Sequence, residues 1–435
     1  MPRPAFPLRH MAPLSSAMLR VPPLSQFRSR GAVAPLRRRP SADRSPLLLP
    51  AVDEVVATDR PSDPMHCLRP ATLAAAARRF VGGFPGDVLY AVKCNPEPSV
   101  LRALWAGGVR HFDCASAGEV RLVRQMFPKA QIHFMHPVKS RAAIAEAYAR
   151  HGVRDFVLDS AEELEKIGQE TGGAADLGLF VRLAMPKGAA MYDLSGKFGA
   201  SPEEAVALLR AARGRAVRLG LCFHVGSQCM DPGAYSRALA LAGEVIRAAG
   251  VAVEVIDVGG GFPVSYPDIT PPPLGEFFAA IREGFNKLAL PGTRLWAEPG
   301  RALVAGGASV VVRVEMRRGD ALYVNDGVYG SLSDAGVPGF RFPVRLIRPG
   351  QPAPADAVQP FRFFGPSCDS ADHMQGPFLL PADVHEGDWI EIGQLGAYGG
   401  CLRTAFNGFD RVMLAEVRDA PLLETPGHAE EVAAA

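Results

Sequence analysis

From about residue 68 to residue 300 the chain alternates between short β-prone runs and longer stretches of helical period. The β-prone runs are Val88–Lys93, His111–Ser116, Gln131–His136, Asp155–Ser160, Leu179–Met185, Leu219–Ser227, Val253–Val258 and Leu295–Glu298. Between them lie Ala/Leu/Glu/Arg segments such as Ala142–Arg150, Pro202–Ala212 and Tyr235–Ala249. Helix starts carry their own marks: Ser160 with Glu163 reads as a capping box, and Ser201 precedes a proline at the first helical position. Strand–helix alternation of this kind builds either an open doubly wound sheet or a closed barrel. A count of eight favours the closed (β/α)8 barrel.

After Ala305 the texture changes. Ala308–Glu315, Ala321–Asn325, Phe340–Ile347, Phe361–Gly365 and Asp388–Ile392 are short and strand-like, separated by Gly, Pro and Asp rather than by helices. This predicts a second, β-rich domain, a β-barrel or sandwich, to which Ala51–Val56 is expected to add a strand. The 435 residues divide accordingly into an extension (1–45), a segment joining the β domain (46–68), the barrel (69–305), the β-rich domain (306–422) and a flexible tail (423–435).

Charge and cysteines narrow the partners. A formal net charge of +2 provides no field for nucleic acid or a membrane surface, and no apolar run is long enough to span a bilayer. Seven scattered cysteines without a CxxC pair argue against a disulfide framework or structural zinc, and for a reducing, cytoplasmic compartment. The first forty residues are rich in Arg, Pro and Ser, with no acid before Asp43. They fit an organelle transit peptide, a disordered extension or a start codon set too far upstream; prolines this dense would break a targeting helix and favour the last two.

In a (β/α)8 barrel, residues at the C-terminal strand ends share one site. Here those ends bring together Lys93, Asp113, Glu119, Arg182, His224, Ser227, the turn Gly259-Gly260-Gly261, Glu298 and Arg301. Singly each has a plainer role: a solvated lysine, a tight turn, a hydrogen-bonded histidine. Together they have a chemical logic. A lysine can form a Schiff base with an aldehyde. Glycines let backbone N–H groups approach a phosphate, and a serine and an arginine add donors and charge. A carboxylate can keep a pyridinium nitrogen protonated, and an imidazole can lie flat on the ring. Those are the parts of a pyridoxal 5'-phosphate site, with no metal.

The blocks Tyr90-Ala-Val-Lys-Cys-Asn95, Phe112-Asp-Cys-Ala-Ser116, Phe223-His-Val-Gly-Ser227, Asp257-Val-Gly-Gly-Gly-Phe-Pro263 and Glu298-Pro-Gly-Arg301 resemble the ornithine/diaminopimelate/arginine decarboxylases of fold type III. So do Tyr323-Val-Asn-Asp-Gly-Val-Tyr-Gly330, Gly365-Pro-Ser-Cys-Asp369 and Gly396-Ala-Tyr398, and the set is nearest the ornithine decarboxylases. The blocks run in the family's order from about residue 65 to 420. The resemblance implies that Lys93 binds the cofactor, Glu298 pairs with the pyridine nitrogen and His224 stacks on the ring. Ser227, Gly261, Arg301 and Tyr398 would hold the phosphate, with Asp113, Glu119 and Arg182 in support. Cys368 would protonate the α-carbon, and Asp369 would bind the substrate's distal amine. It also implies a homodimer whose Cys-Asp loop enters the neighbouring site.

A dibasic substrate needs an acid at the far end of the pocket, which Asp369 and Asp334 can supply. Ornithine is therefore expected first, giving putrescine for polyamine synthesis. Lysine or dual use comes second, with arginine and diaminopimelate well behind. One departure bears on this. Ser331-Leu-Ser-Asp334 is shorter than the matching stretch of animal-type enzymes, so Asp334 either replaces their substrate aspartate or only caps a turn. A non-catalytic regulator on the same fold would have lost Lys93, Glu298, Arg301 or Cys368. A racemase would carry a tyrosine where Cys368 stands.

Overall fold

The computed structural model describes residues 48–186, 190–192, 196–336 and 338–426. The expectations for the extension 1–45 and most of the tail lie outside these residues. Among the described residues no helix is long and apolar enough to cross a membrane.

Eight parallel strands close into a barrel: β2 (Asp87–Ala91), β3 (His111–Cys114), β4 (Gln131–Phe134), β5 (Asp155–Leu158), β6 (Gly178–Arg182), β8 (Arg218–Cys222), β10 (Val255–Asp257) and β11 (Arg294–Ala297). All eight coincide with the β-prone runs. A small antiparallel pair, β7 (Ala190–Tyr192) with β9 (Ser227–Cys229), sits beside the ring. The barrel is a packed core, not a pore: Leu89, Met135, Val157, Phe180, Cys222, Val255 and Trp296 fill it. Ser201 makes the full capping box with Glu204, whereas Ser160 makes half of one. The Ser160 hydroxyl accepts from Glu163 N at 3.2 Å, but the Glu163 carboxylate turns inward to Lys139 Nζ, 3.0 Å away, and to Lys166. A buried ammonium outbids an exposed backbone N–H for that carboxylate.

The second domain is an eight-stranded sheet in the order β14 (Val344–Ile347), β17 (Trp389–Ile392), β12 (Ala308–Arg318), β13 (Ala321–Val324), β15 (Val358–Phe364), β16 (His373–Pro381). Strand β1 (Met65–Leu68) pairs antiparallel with β12 and parallel with β18 (Met413–Glu416). The chain thus enters and leaves through this domain. One expectation is corrected here: residues 51–56 form no strand. Val52–Asp59 is a helix. Val52, Val55 and Val56 are β-branched, yet their i, i+3, i+4 spacing puts all three on one buried face. The Glu54 carboxylate accepts from Ala51 N at 2.9 Å and caps the first turn. A buried ionic knot ties the N-terminal segment to the sheet: Glu391 accepts from Arg69 Nη2 and Arg345 Nε, both at 2.6 Å, and from the Ser309 hydroxyl.

Candidate active site

The C-terminal ends of the barrel strands open onto a cavity of about 500 Å3 whose wall includes Lys93, Arg182, His224, Ser227, Gly260, Gly261, Glu298, Arg301 and Tyr398. Strand β2 ends at Ala91, and Val92–Cys94 makes one tight turn, so Lys93 stands just beyond the strand rather than in it. The turn is pinned by Ala91 N donating to Pro299 O (3.1 Å) and by Tyr398 N donating to Cys94 O (3.0 Å). Tyr398 holds φ +58°, a left-handed conformation costly for a side chain of its size and sustained by that contact.

Lys93 Nζ lies 2.7 Å from Asp113 Oδ2 on the adjacent strand, where Asp113 pairs in register with Ala91. Burial pulls the Lys93 ammonium toward the neutral form, but the Asp113 and Glu298 carboxylates outweigh it and raise its pKa. Glu119 stands behind, accepting from Ala115 N at 2.7 Å, with its pKa raised chiefly by burial.

Glu298 follows β11 directly, and its backbone N–H donates to Gly259 O at 2.8 Å. Burial first, then the charges of Asp257 and Asp113, hold its carboxyl well above the usual range. Asp257 is fully buried. Its Oδ1 accepts from Gly259 N at 2.8 Å, and its carboxyl shares a hydrogen bond with that of Glu298. Burial pushes this acid to about 6. Asp113 Oδ1 is buried without a partner. This corner is short of positive charge.

The His224 ring Nδ1 accepts from Gly226 N at 3.0 Å, which leaves Nε2 as the protonated nitrogen of a neutral ring. Burial, with Arg182 and Lys93 nearby, lowers its pKa to about 3. A neutral imidazole stacks on a flat ring without a charge penalty.

The glycine turn admits no side chain. A Cβ at Gly260 would meet Glu298 O at 2.7 Å and His224 Nε2 at 3.0 Å; one at Gly261, where φ is +101°, would meet Gly226 O at 2.4 Å. Gly259, at φ +69°, stands behind the wall. Such a bare backbone turn suits a phosphate. An acid-rich corner, a reachable amine and a bare turn thus fit pyridoxal phosphate in its three chemically distinct parts.

Six expected residues do not line the cavity of their own chain: Asp113, Glu119 and Gly259, described above, and Asp334, Cys368 and Asp369. Cys368 is exposed on the turn between β15 and β16, its thiol 3.4 Å from Asn407 Oδ1. Asp369 accepts from the Tyr329 hydroxyl at 2.5 Å. The buried Asp372 staples this turn, accepting from Val328 N and Ser367 N. Asp334 pairs with Arg301. Residues absent from the sequence reading also form the wall: Met135, His136 and Pro137 after β4, and Lys197 and Phe198 after β7. His136 and Pro137 follow the strand-end rule used for the others and could have been found with it. Lys197 and Phe198 lie in an insertion with no strand or helix period.

Comparison with known proteins agrees with this geometry. Residues 71–305 match the family model for the pyridoxal binding domain of the pyridoxal-dependent decarboxylases, and residues 303–396 match that for their C-terminal sheet domain. The chain is 35% identical over 334 residues to a lysine/ornithine decarboxylase of Selenomonas ruminantium, covering 74% of this chain and 81% of that one. It is 33% identical over 386 residues to an ornithine decarboxylase of Panagrellus redivivus, covering 80% and 84%. Among solved structures, an arginine decarboxylase of Paramecium bursaria Chlorella virus bound to agmatine superposes with a TM-score of 0.74 at 27% identity, over 84% of this chain and 99% of that one. A lysine/ornithine decarboxylase of Vibrio vulnificus complexed with putrescine gives 0.72 at 32% identity, over 84% and 97%. The chain therefore belongs to the pyridoxal-dependent ornithine/diaminopimelate/arginine decarboxylases, and is a lyase that takes a basic amino acid.

Proposed function

We propose that this protein decarboxylates L-ornithine to putrescine, in a homodimer whose two sites each draw on both copies. The observation that carries the reading is the split in the machinery. Lys93, His224, Glu298 and Arg301 share one cavity, while Cys368 and Asp369 stand outside it on an ordered, outward-facing turn. A second copy that docked this turn over the cavity would complete the site, as a closed twofold interface permits.

Pyridoxal phosphate supplies an aldehyde for the substrate amine and a ring that accepts the electrons left when carbon dioxide departs. The chain supplies the rest. Lys93 offers the amine that holds the cofactor and later releases the product, with Asp113 orienting it and Glu119 behind. Glu298, with Asp257 beside it, is the acid that would share its proton with the ring nitrogen and stay paired with it. His224 covers one face as a neutral plane, and Arg182 supports the ring from the wall. Ser227, the backbone of Gly259, Gly260 and Gly261, Arg301 and Tyr398 hold the phosphate. Cys368 of a second copy delivers a proton to the α-carbon, and its Asp369 takes the distal ammonium. An acid there rejects substrates with an uncharged end group, whose binding would leave a buried carboxylate unpaired. The seven unpaired cysteines fit work in the reducing cytoplasm.

The test is carbon dioxide release from ornithine, lysine, arginine and diaminopimelate side by side. Ornithine should give the highest kcat/KM, lysine the next, and the other two far less. A higher value for lysine would reassign the substrate, and no release from any of the four would refute the catalytic reading. Mixing Lys93→Ala with Cys368→Ala protein should recover roughly a quarter of wild-type activity, because half the pairs are mixed and each mixed pair has one intact site. No recovery would sink the shared site.

A further inference from the structure

Arg301 forms part of the cavity wall, whereas two of the side chains that hold it, Tyr266 and Asp334, do not. Its Nη1 donates to the Tyr266 hydroxyl at 2.7 Å and its Nη2 to Asp334 Oδ2 at 3.0 Å. The guanidinium is enclosed by the rings of Tyr398, Phe340 and Tyr266, with centroids 5.1, 5.2 and 5.9 Å away. The Arg301 side chain is 5% exposed and that of Asp334 13%.

We propose that Asp334 is a positioning residue: with Tyr266 it brackets Arg301 from behind and aims it at the cofactor phosphate, and it does not take the substrate's distal amine. This rests on the reading of Arg301 as a phosphate-binding residue. Three arguments carry it. Seen from the cavity, the carboxylate stands behind a cation, so an incoming ammonium meets the guanidinium first and is repelled. A buried guanidinium without an anion is costly, so Arg301 needs a counter-charge before the cofactor arrives. A guanidinium is also a planar fork of five N–H donors, able to serve a carboxylate on one edge and a phosphate on another. Recognition of the distal amine then falls to Asp369 of the second copy.

The test compares pyridoxal phosphate with pyridoxal, which lacks the phosphate, by absorbance or fluorescence titration of the cofactor-free protein. Asp334→Asn should raise the Kd for pyridoxal phosphate about tenfold, the loss of one charge-assisted hydrogen bond, and move that for pyridoxal by less than about twofold. The KM for ornithine at saturating cofactor should also stay within about twofold. Asp334→Glu should restore part of the lost affinity. Equal losses for both cofactor forms would make the residue merely structural. Unchanged or tighter binding of the phosphate form, or a raised ornithine KM with cofactor affinity intact, would also overturn the proposal. If Asp334→Asn does not fold, Tyr266→Phe decides: a loss confined to the phosphate form sustains the bracket, and its absence overturns it. A wild-type protein that bound both forms equally would overturn the phosphate role of Arg301, and the bracket with it, while leaving the decarboxylase reading standing.

Discussion

The barrel holds buried charge at both ends, and the two ends treat it in opposite ways. At the N-terminal floor the groups answer one another. Asp155 lies 2.8 Å from His133 Nδ1 and 2.7 Å from Arg218 Nη1, and His111 Nδ1 lies 3.1 Å from His133 Nε2. Trp296 donates to Asp87 at 2.9 Å and packs on Phe180 and His133. Burial alone would raise the Asp155 pKa, but His133 and Arg218 bring it below its usual value. At the C-terminal rim, Asp113 Oδ1 is buried without a partner, Asp257 and Glu298 have chiefly each other's carboxyl to bond, and burial holds protons on both. Satisfied charge is architecture. Unsatisfied charge, at a cost the fold bears elsewhere, marks where something else binds.

That contrast can be broken from either end. Its strongest form predicts that Lys93→Ala abolishes decarboxylation and the Schiff-base absorbance near the visible range while the cofactor-free protein melts within a few degrees of wild type. A melting point that collapsed with the activity would make Lys93 a structural residue. Next, Glu298→Gln should lower kcat about 10²-fold or more, the scale for removing one preorganised electrostatic partner, without loss of fold. Steady-state rates near wild type would refute its pairing with the ring nitrogen.

At the floor the order reverses. Asp155→Ala strips His133 and Arg218 of their shared anion and should cost about 3 kcal/mol in chemical denaturation, yet leave kcat nearly intact in whatever protein folds. A catalytic loss without a stability loss would erase the distinction between the ends. The smallest effect is one of pH. The folded-state pKa of Asp257, about 6, lies above its ordinary 3.8. The stability this acid contributes is therefore full below about pH 4 and is lost as pH rises through about 6. Asp257→Asn removes that loss, so the variant should gain on wild type by about 2 kcal/mol between pH 4 and pH 8 in the cofactor-free protein. A constant difference across that range would show Asp257 ionised throughout.

How much of this was legible in the chain depends on what carried the signal. The eight barrel strands announce themselves because each is a short apolar run set off by a helix of different period. The rim residues follow because strand ends are where a barrel places its chemistry. Val52–Asp59 misleads because β-branched residues suggest a strand, and only the three- and four-residue spacing of its valines, set against a sheet already formed, selects a helix. Strands β1 and β18 escape the sequence reading because their pairing is decided by partners far away in sequence, as with Met65 opposite Val311 and beside Met413; β16 pairs with its neighbour β15, but Gly376, Pro377 and Pro381 make its run read as a loop. Glu163 shows the same limit at the level of one side chain: Ser160 and Glu163 have the spacing of a reciprocal cap, but the ammonium of Lys139 arrives from another strand's loop. Asp334 falls in the right neighbourhood, yet nothing in Ser331–Asp334 says that it pairs with Arg301.

The turn that presents Lys93 is held from a great distance along the chain. Asn95 Nδ2 donates to Gly396 O at 2.8 Å, and Cys94 O accepts from Tyr398 N at 3.0 Å. The ring of strands is complete at Ala297, but the turn that carries Lys93 is braced by a segment about one hundred residues later. During synthesis, then, all eight barrel strands leave the ribosome well before the segment that braces this turn. The turn that carries Lys93 therefore takes its observed geometry only when the sheet domain has been made and folded back against it.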